Sequence, residues 1–510
     1  MTIRLGPVLN FRGCDGGVWK LSALVATDDG KPPALELESG GAPGTIPAKA
    51  IGGFKAGRAE LALWRYDFLV KQTAAAGAAR YTLDGVQRTI QVPALDAAPR
   101  IAYASCNGFS SLKLMKSTKV PYALWEDLAR KHAAEPFHLL LLGGDQLYTD
   151  SMWEELEALA AWAALPTNEG VKREAPASLR QQVSNFFRTL YPRRWSQPEI
   201  AEALACIPTL MMWDDHDIMD GWGSYDKALN ECDVYRCIFG SAREAFARYQ
   251  LQCADAETHP LALPGQKQFT LGCRIGPLAV LALDMRSERT ADRVLSQESW
   301  KVVYDWLDAL PSVQDGGPRH LFVMSSIPVI YPDFALLEAA LGLFPGRQEL
   351  EDDLKDHWSS MTHRQERLRF IHRLLGFGAR SGCRVTLLSG DVHVGAVGVV
   401  RSQRAGAGEV INQLTSSGIV HPAPPGMVLF FLENVLGKAA EDDRDIRSEI
   451  VPIPGTRNHY IGARNWLALA PDGENRYWAN WYTEAESHPY VKVIHPVDFN
   501  MQPAKIAPAQ

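Results

Sequence analysis

Cysteine is scarce. Eight residues in 510 carry a thiol, too few for a disulfide framework. No Cys-x-x-Cys pair exists, which argues against a structural zinc ribbon. A basic surplus is missing too. Lys and Arg number 52 against 59 Asp and Glu, a formal charge of −7, so no global positive field is available to grip nucleic acid. The longest apolar runs, such as Met427–Leu432, fall far short of the roughly 18 residues a membrane span needs. The N-terminus lacks a basic stretch followed by an apolar one, and it lacks a twin-arginine pair. The expectation is a soluble, cytoplasmic protein with no membrane partner. Disorder is excluded by ordinary globular values of 46% hydrophobic and 22% charged residues. The length fits two domains.

Residues 1–98 read as β-rich. The short runs Val18–Val25, Glu60–Val70 and Tyr81–Val92 are separated by Gly/Pro/Asp clusters such as Asp28-Asp29-Gly30-Lys31-Pro32-Pro33. A small β-sandwich is the expectation there, with Pro93–Pro99 as a linker. From residue 99 the texture changes. Apolar strands are expected at Arg100–Cys106, His138–Asp145, Pro208–Asp217, Leu278–Asp284, His320–Ser326, Arg384–Asp391 and Glu409–Ser417. Their near-continuous apolar character indicates a sheet covered on both faces. Amphipathic helices are expected at Tyr122–Ala134, Ser299–Leu310 and His363–Leu375. In the last, Arg364, Arg367 and Arg373 lie off the apolar stripe and read as a solvated face. Residues 151–207 read as a helical insert, and 421–460 as a surface excursion. The whole is a mixed α/β layered architecture.

Polar residues gather where these strands end, the place where open α/β sheets bind ligands. His138–Leu142 runs into Gly143-Gly144-Asp145-Gln146-Leu147-Tyr148. Thr209–Trp213 runs into Asp214-Asp215-His216-Asp217. Val385–Leu388 runs into Ser389-Gly390-Asp391-Val392-His393, and Ile101–Ser105 into Cys106. Taken singly, each has a plainer reading. Asp145 fits a turn or helix cap, Tyr148 a half-buried core ring, Cys106 a small buried apolar residue, and the Asp214–Asp217 run a solvated loop. In Asp391-Val392-His393 both outer side chains share one side if the segment is extended. Together, four strand ends of this kind point to one crevice.

Five of these groups can be anionic: Cys106, Asp145, Tyr148, Asp215 and Asp391. Like charges at close range raise one another's pKa, so the cluster needs cations, and two balance it better than one. Phenolate and thiolate suit iron. Carboxylate oxygens suit calcium, magnesium or manganese. The reaction class this predicts is metal-assisted hydrolysis at a two-metal centre, with a metal-activated hydroxide as nucleophile.

At these motifs the sequence resembles the calcineurin-like metallophosphoesterases, and within them the alkaline phosphatase D (PhoD-like) family. The residues that carry the resemblance are Ala104-Ser105-Cys106, Gly144-Asp145-Gln146-Leu147-Tyr148, Trp213-Asp214-Asp215-His216-Asp217, Leu283–Arg289 and Gly390-Asp391-Val392-His393. It spans about residues 100–420. It implies an α/β metallophosphoesterase sandwich, mixed sheets flanked by helices, over 99–510, preceded by a β-sandwich domain over 1–98. It implies a phosphomonoesterase or phosphodiesterase holding ferric iron plus calcium or another divalent ion, with manganese, magnesium and zinc behind. By position, Asp145 would bridge the metals. Cys106, Tyr148 and His393 would favour iron, and Asp215 and Asp391 the second ion. His216 would act on the phosphate or leaving group as the catalytic residue. Arg286 and Arg289 are candidates for phosphate contact, or for ion pairs with Asp284 or Glu288. The substrate class is a small phosphate ester, with nucleic acid entering only as a diester. A vestigial, non-enzymatic metal site and a metal hydrolase of another ester are the alternatives.

Overall fold

The computed structural model describes residues 2–56, 59–264, 268–330, 363–403, 410–435 and 437–497. Every apolar run expected after residue 99 is a strand. Each stops one or more residues short of its expected polar end, as in Leu139–Gly143, Thr209–Met212, Arg384–Ser389 and Val410–Thr415. The polar residues are the loops, not the strand tips. Glu409, the expected start of the last strand, lies outside the described residues.

One sheet of ten strands runs in the order Tyr490–Ile494, Tyr477–Thr483, Asn465–Pro471, Ile101–Ala104, Leu139–Gly143, Thr209–Met212, Ile3–Asp15, Val18–Thr27, Ala59–Lys71 and Ala48–Ala56. Its centre is parallel. All five residues of Leu139–Gly143 are buried, as expected of a strand covered on both faces. Each such leucine contributes roughly 1.5–3 kcal/mol by burial. The helix Ala123–Ala134 buries Leu124, Trp125 and Leu128, and Pro198–Cys206 buries Ile200, Ala203 and Leu204.

A second sheet has nine strands. Leu278–Ala282, His320–Met324, Arg384–Ser389 and Val410–Thr415 form its parallel run. The segment expected as a surface excursion supplies a helix, Gly426–Asn434. It also supplies two strands, Ala439–Asp443 and Ile446–Val451, that extend this sheet. The helix Arg364–Ser381 exposes Arg364 and Arg373. Arg367 is buried at 6% exposure and pairs with Asp442 at 2.6 Å, so the solvated-face reading fails at that residue. The helical insert is present as five helices between Met152 and Cys206.

The N-terminal β-sandwich is not confirmed as a unit of its own. Ile3–Asp15 pairs in parallel with Thr209–Met212, so the N-terminal strands continue the central sheet. Leu35–Glu38, Gly44–Ile46, Gly77–Leu83 and Val86–Val92 make a separate four-stranded sheet. The run expected over Tyr81–Val92 is split by Asp84-Gly85, both in left-handed backbone, the conformation of a tight hairpin turn. The Tyr81 hydroxyl donates to the Ala205 carbonyl at 2.6 Å, tying this sheet to the helix Pro198–Cys206. Among the described residues no helix is long and apolar enough to cross a membrane.

The carboxyl ends of the two large sheets meet. Ser105 Oγ donates to the Ser416 carbonyl at 3.0 Å, Ser326 Oγ to Asp214 at 2.7 Å, and Trp213 Nε1 to Asp284 at 2.7 Å. Small residues allow this approach. A Cβ on Gly390 would lie 2.4 Å from Ser105 Oγ, and one on Gly144, whose φ is +99°, 2.8 Å from Asp214 Cβ.

Candidate metal centre

Four of the expected ligands stand on left-handed backbone: Cys106 at φ 53°, Asp145 at 54°, Asp391 at 70° and His393 at 53°. Non-glycine residues pay for this conformation, and such strain clusters at functional sites. It also corrects the expected geometry of Asp391-Val392-His393. The segment is not extended, and the turn does the aiming.

The strand ends converge on Asp145. Its ligand atom lies within 4.8 Å of those of Asp215 and His216, and also belongs to a group with Asp214, Asp215 and Asp391. Asp145 is 1% exposed. Cys106 Sγ lies 3.5 Å from its Oδ2, while among the described residues nothing donates a hydrogen bond to its Oδ1. Burial, then Asp214 and Asp215, push its carboxyl well above the usual range, against the pull of His216. Burial and Asp145 likewise push the Cys106 thiol up, and burial, Cys106 and Asp145 raise the Tyr148 phenol. Each of these groups carries a charge readily only opposite a cation. Burial, His421 and His216 hold His393 well below the ordinary histidine value. It is therefore neutral, the form that ligates metal. Its Nε2 lies 3.1 Å from the Tyr148 hydroxyl.

His216 lies in the cluster beside Asp145 and Asp215, but both of its ring nitrogens also face other carboxylates. Its Nδ1 donates to Asp150 Oδ2 at 2.7 Å, and its Nε2 is 3.9 Å from Asp220. Burial opposes its charge, but Asp150, Asp215 and Asp220 together hold its pKa well above the ordinary value. Its ring stacks on Tyr148 at 4.2 Å. Asp217 turns away from the cluster. It accepts from the backbone N–H of Leu147 at 3.1 Å and of Asp214 at 3.0 Å, pinning both motifs together.

Arg286 is fully buried. Its Nε donates to Asp214, its Nη2 lies 3.3 Å from Asp215, and its Nη1 donates to the Trp222 carbonyl at 3.1 Å. It sits inside the cluster as a fixed counter-charge. Asp284, one of its expected partners, accepts instead from the Arg286 backbone N–H at 3.1 Å. Arg289 is 5% exposed and packs on Gly223, just beyond Gly221, whose N–H donates to Asp215 at 2.7 Å.

The structure adds residues that sequence reasoning missed. Asp150 orients His216. Ser417 Oγ lies 3.1 Å from Cys106 Sγ and accepts from the His393 N–H at 2.9 Å. His421, pushed down to about 4 mainly by burial, stacks on His393 at 3.6 Å. Its Nδ1 donates to the Pro422 carbonyl at 2.9 Å. The signal for Ser417 and His421 was a fifth strand end, after Val410–Thr415.

The model of the family of PhoD related phosphatases matches residues 73–344 and 333–453. The chain is 28% identical over 401 residues to a Saccharomyces cerevisiae relative titled "Uncharacterized protein YGR266W", covering 67% of this chain and 56% of that relative's length. A crystal structure of amylomaltase from Corynebacterium glutamicum aligns over 73% of this chain and 43% of its own. Its identity of 11% and TM-score of 0.12 carry no weight for the fold.

Proposed function

Because the chain belongs to the family of PhoD related phosphatases, we propose that it hydrolyses phosphate esters at the cluster around Asp145, with metal ions as cofactors. The observation that carries this reading is Asp145 itself. It is buried on left-handed backbone, has one carboxylate oxygen without a hydrogen bond among the described residues, and with Asp215 is common to both groups that could hold an ion. A carboxylate so placed is stable as an anion only against a cation.

Asp145 would bridge two ions. Cys106, Tyr148 and His393 offer thiolate, phenolate and imidazole, a donor set that suits ferric iron. Asp215 and Asp391 offer hard oxygens for calcium or another divalent ion. When bound, such ions neutralise phosphate oxygens and lower the pKa of the attacking water.

The remaining roles fall to the chain's own groups. His216, protonated and held through Nδ1 by Asp150, presents Nε2 as proton donor to the leaving oxygen. Arg286 offsets the charge of Asp214 and Asp215, which keeps four aspartates together. Arg289 is the arginine proposed for phosphate contact. The substrate is a small phosphate monoester or diester, nucleic acid enters only as a diester, and no membrane partner is proposed.

Elemental analysis of the purified protein, run beside a monoester and a diester assay, tests the reading. Two or more metal ions per chain and turnover of at least one ester are expected. Stoichiometric metal without turnover of any phosphoester would overturn it. For iron, a visible phenolate band that disappears in Tyr148→Phe is expected, whereas a colourless protein with zinc alone would remove the iron assignment.

A further inference from the structure

The helical insert that follows Asp150 helps to wall a cavity of about 230 Å3. Trp153, Trp162 and Tyr235 line it, with ring centroids 6.3, 6.2 and 5.7 Å apart. Leu165, Gly170 and Leu229 add to the lining, and among the described residues no lining side chain is charged. The Trp162 ring is fixed in place, because its Nε1 donates to the Gly170 carbonyl at 3.1 Å. Aromatic faces of this kind can also hold a cation, but among the described residues no carboxylate lines the cavity to accompany one, and the rings offer apolar faces to an uncharged aromatic guest.

The two segments that build this cavity also flank His216. Asp150, which holds His216 Nδ1, accepts from the Trp153 N–H at its carbonyl, 3.1 Å away. Asp220 lies 3.9 Å from His216 Nε2. The Tyr225 hydroxyl donates to the Asp220 carbonyl at 2.5 Å, and the Tyr225 ring meets Tyr235 at 5.5 Å. Asp150 with Trp153 on one side, and Asp220 with Tyr225 and Tyr235 on the other, thus tie the cavity wall to both carboxylates that face His216.

Resting on the phosphoesterase reading, we propose that this cavity is a leaving-group subsite, and that the preferred substrates are phosphate esters whose alcohol carries an uncharged aromatic ring. The test compares 2-phenylethyl phosphate with butyl phosphate. Both leave as primary alkoxides, so a difference reads the cavity and not leaving-group chemistry. In the wild-type protein kcat/KM is expected to favour the phenylethyl ester by about tenfold. The ratio should fall towards one in Trp162→Ala and be largely kept in Trp162→Phe, which retains a ring. A wild-type ratio near one, or a preference that survives Trp162→Ala, overturns the subsite. Saturation-transfer NMR with 2-phenylethanol separates this from failure of the phosphoesterase reading. If neither ester is hydrolysed, ring signals present in the wild type and lost in Trp162→Ala keep the aromatic site while the phosphoesterase reading falls. Absence of those signals in the wild type overturns the site itself.

Discussion

A carboxylate that bridges cations and an imidazole that protonates an alkoxide fail differently when removed. Asp145→Asn takes away a charge where metal binding needs one, so metal content per chain should fall together with activity. Full metal retention would show that Asp145 is not a ligand. His216→Ala should leave the metal content nearly intact and slow turnover by roughly 10²–10⁴-fold, the usual cost of a missing general acid. The loss should be larger for an alkyl ester than for a nitrophenyl ester, whose leaving group needs less protonation. The pKa of His216 is raised in the folded chain, so if it is the proposed proton donor, activity should decline as pH rises through its pKa. Asp150→Asn removes the largest of the attractive partners. The alkaline limb of the pH–rate profile should then move to lower pH, and an unmoved limb would assign the limb to another group. Cys106, Asp145, Tyr148, Asp215, His216, Asp391 and His393 were legible because each follows an apolar strand. Asp150 was not, because it lies two residues beyond the Gly144–Tyr148 motif, although it follows the same strand. His421 reaches the site only because Gly418, at φ +84°, lets the chain turn back, so that the His421 N–H donates to the Cys106 carbonyl at 3.1 Å.

Elements were legible where hydrophobic pattern alone decides them. The helices Ala123–Ala134 and Gln297–Ala309 fall within two residues of expectation. Arg364–Ser381 runs six residues past its expected end and stops at Gly382, which takes the left-handed cap conformation. The pattern failed where a distant partner decides, as at Arg367, whose Asp442 lies 75 residues away in sequence. Glu257 is another such tie. It pairs with Arg65 at 2.9 Å, joining the strand Ala59–Lys71 to the segment after the helix Asp233–Tyr249. Partial burial raises its carboxyl pKa, but Arg65 and the Ala254 N–H outweigh this and hold it at about 2, against 4.5 for a free side chain. A depressed carboxylate contributes stability that is present above about 4.5 and lost as pH falls through about 2. Glu257→Gln should therefore cost about 1 kcal/mol near pH 6, after allowance for solvent screening, and almost nothing near pH 2. Urea unfolding of both proteins across that range measures the gap. A gap independent of pH would mean that the pair acts by packing and not by charge.

At the scale of the whole molecule, the sheet crosses the boundary expected at residue 98. Local pattern picked out Val18–Val25 and Glu60–Val70 but not Ile3–Asp15, and it held no information on partners, because the pairing of Asn10 with Thr209 joins positions 199 apart. Deleting residues 1–98 would bare one edge of Thr209–Met212, whose Thr209 hydroxyl donates to the Leu9 carbonyl at 2.6 Å. Unpaired edges of this kind promote association. The truncated chain is expected to be insoluble or to lose its cooperative thermal transition, measured by circular dichroism. A soluble, active 99–510 fragment would show that the N-terminal strands are dispensable. The same pairing sets an order of events during synthesis. Ile3–Asp15 leaves the ribosome well before its parallel partner, which follows about 200 residues later, roughly 10–40 s at ordinary elongation rates. Through that interval the nascent chain carries an apolar strand with one side still waiting. Its early companion is Val18–Thr27, the antiparallel neighbour made next, so the hairpin is available before the parallel strands of the central sheet are made.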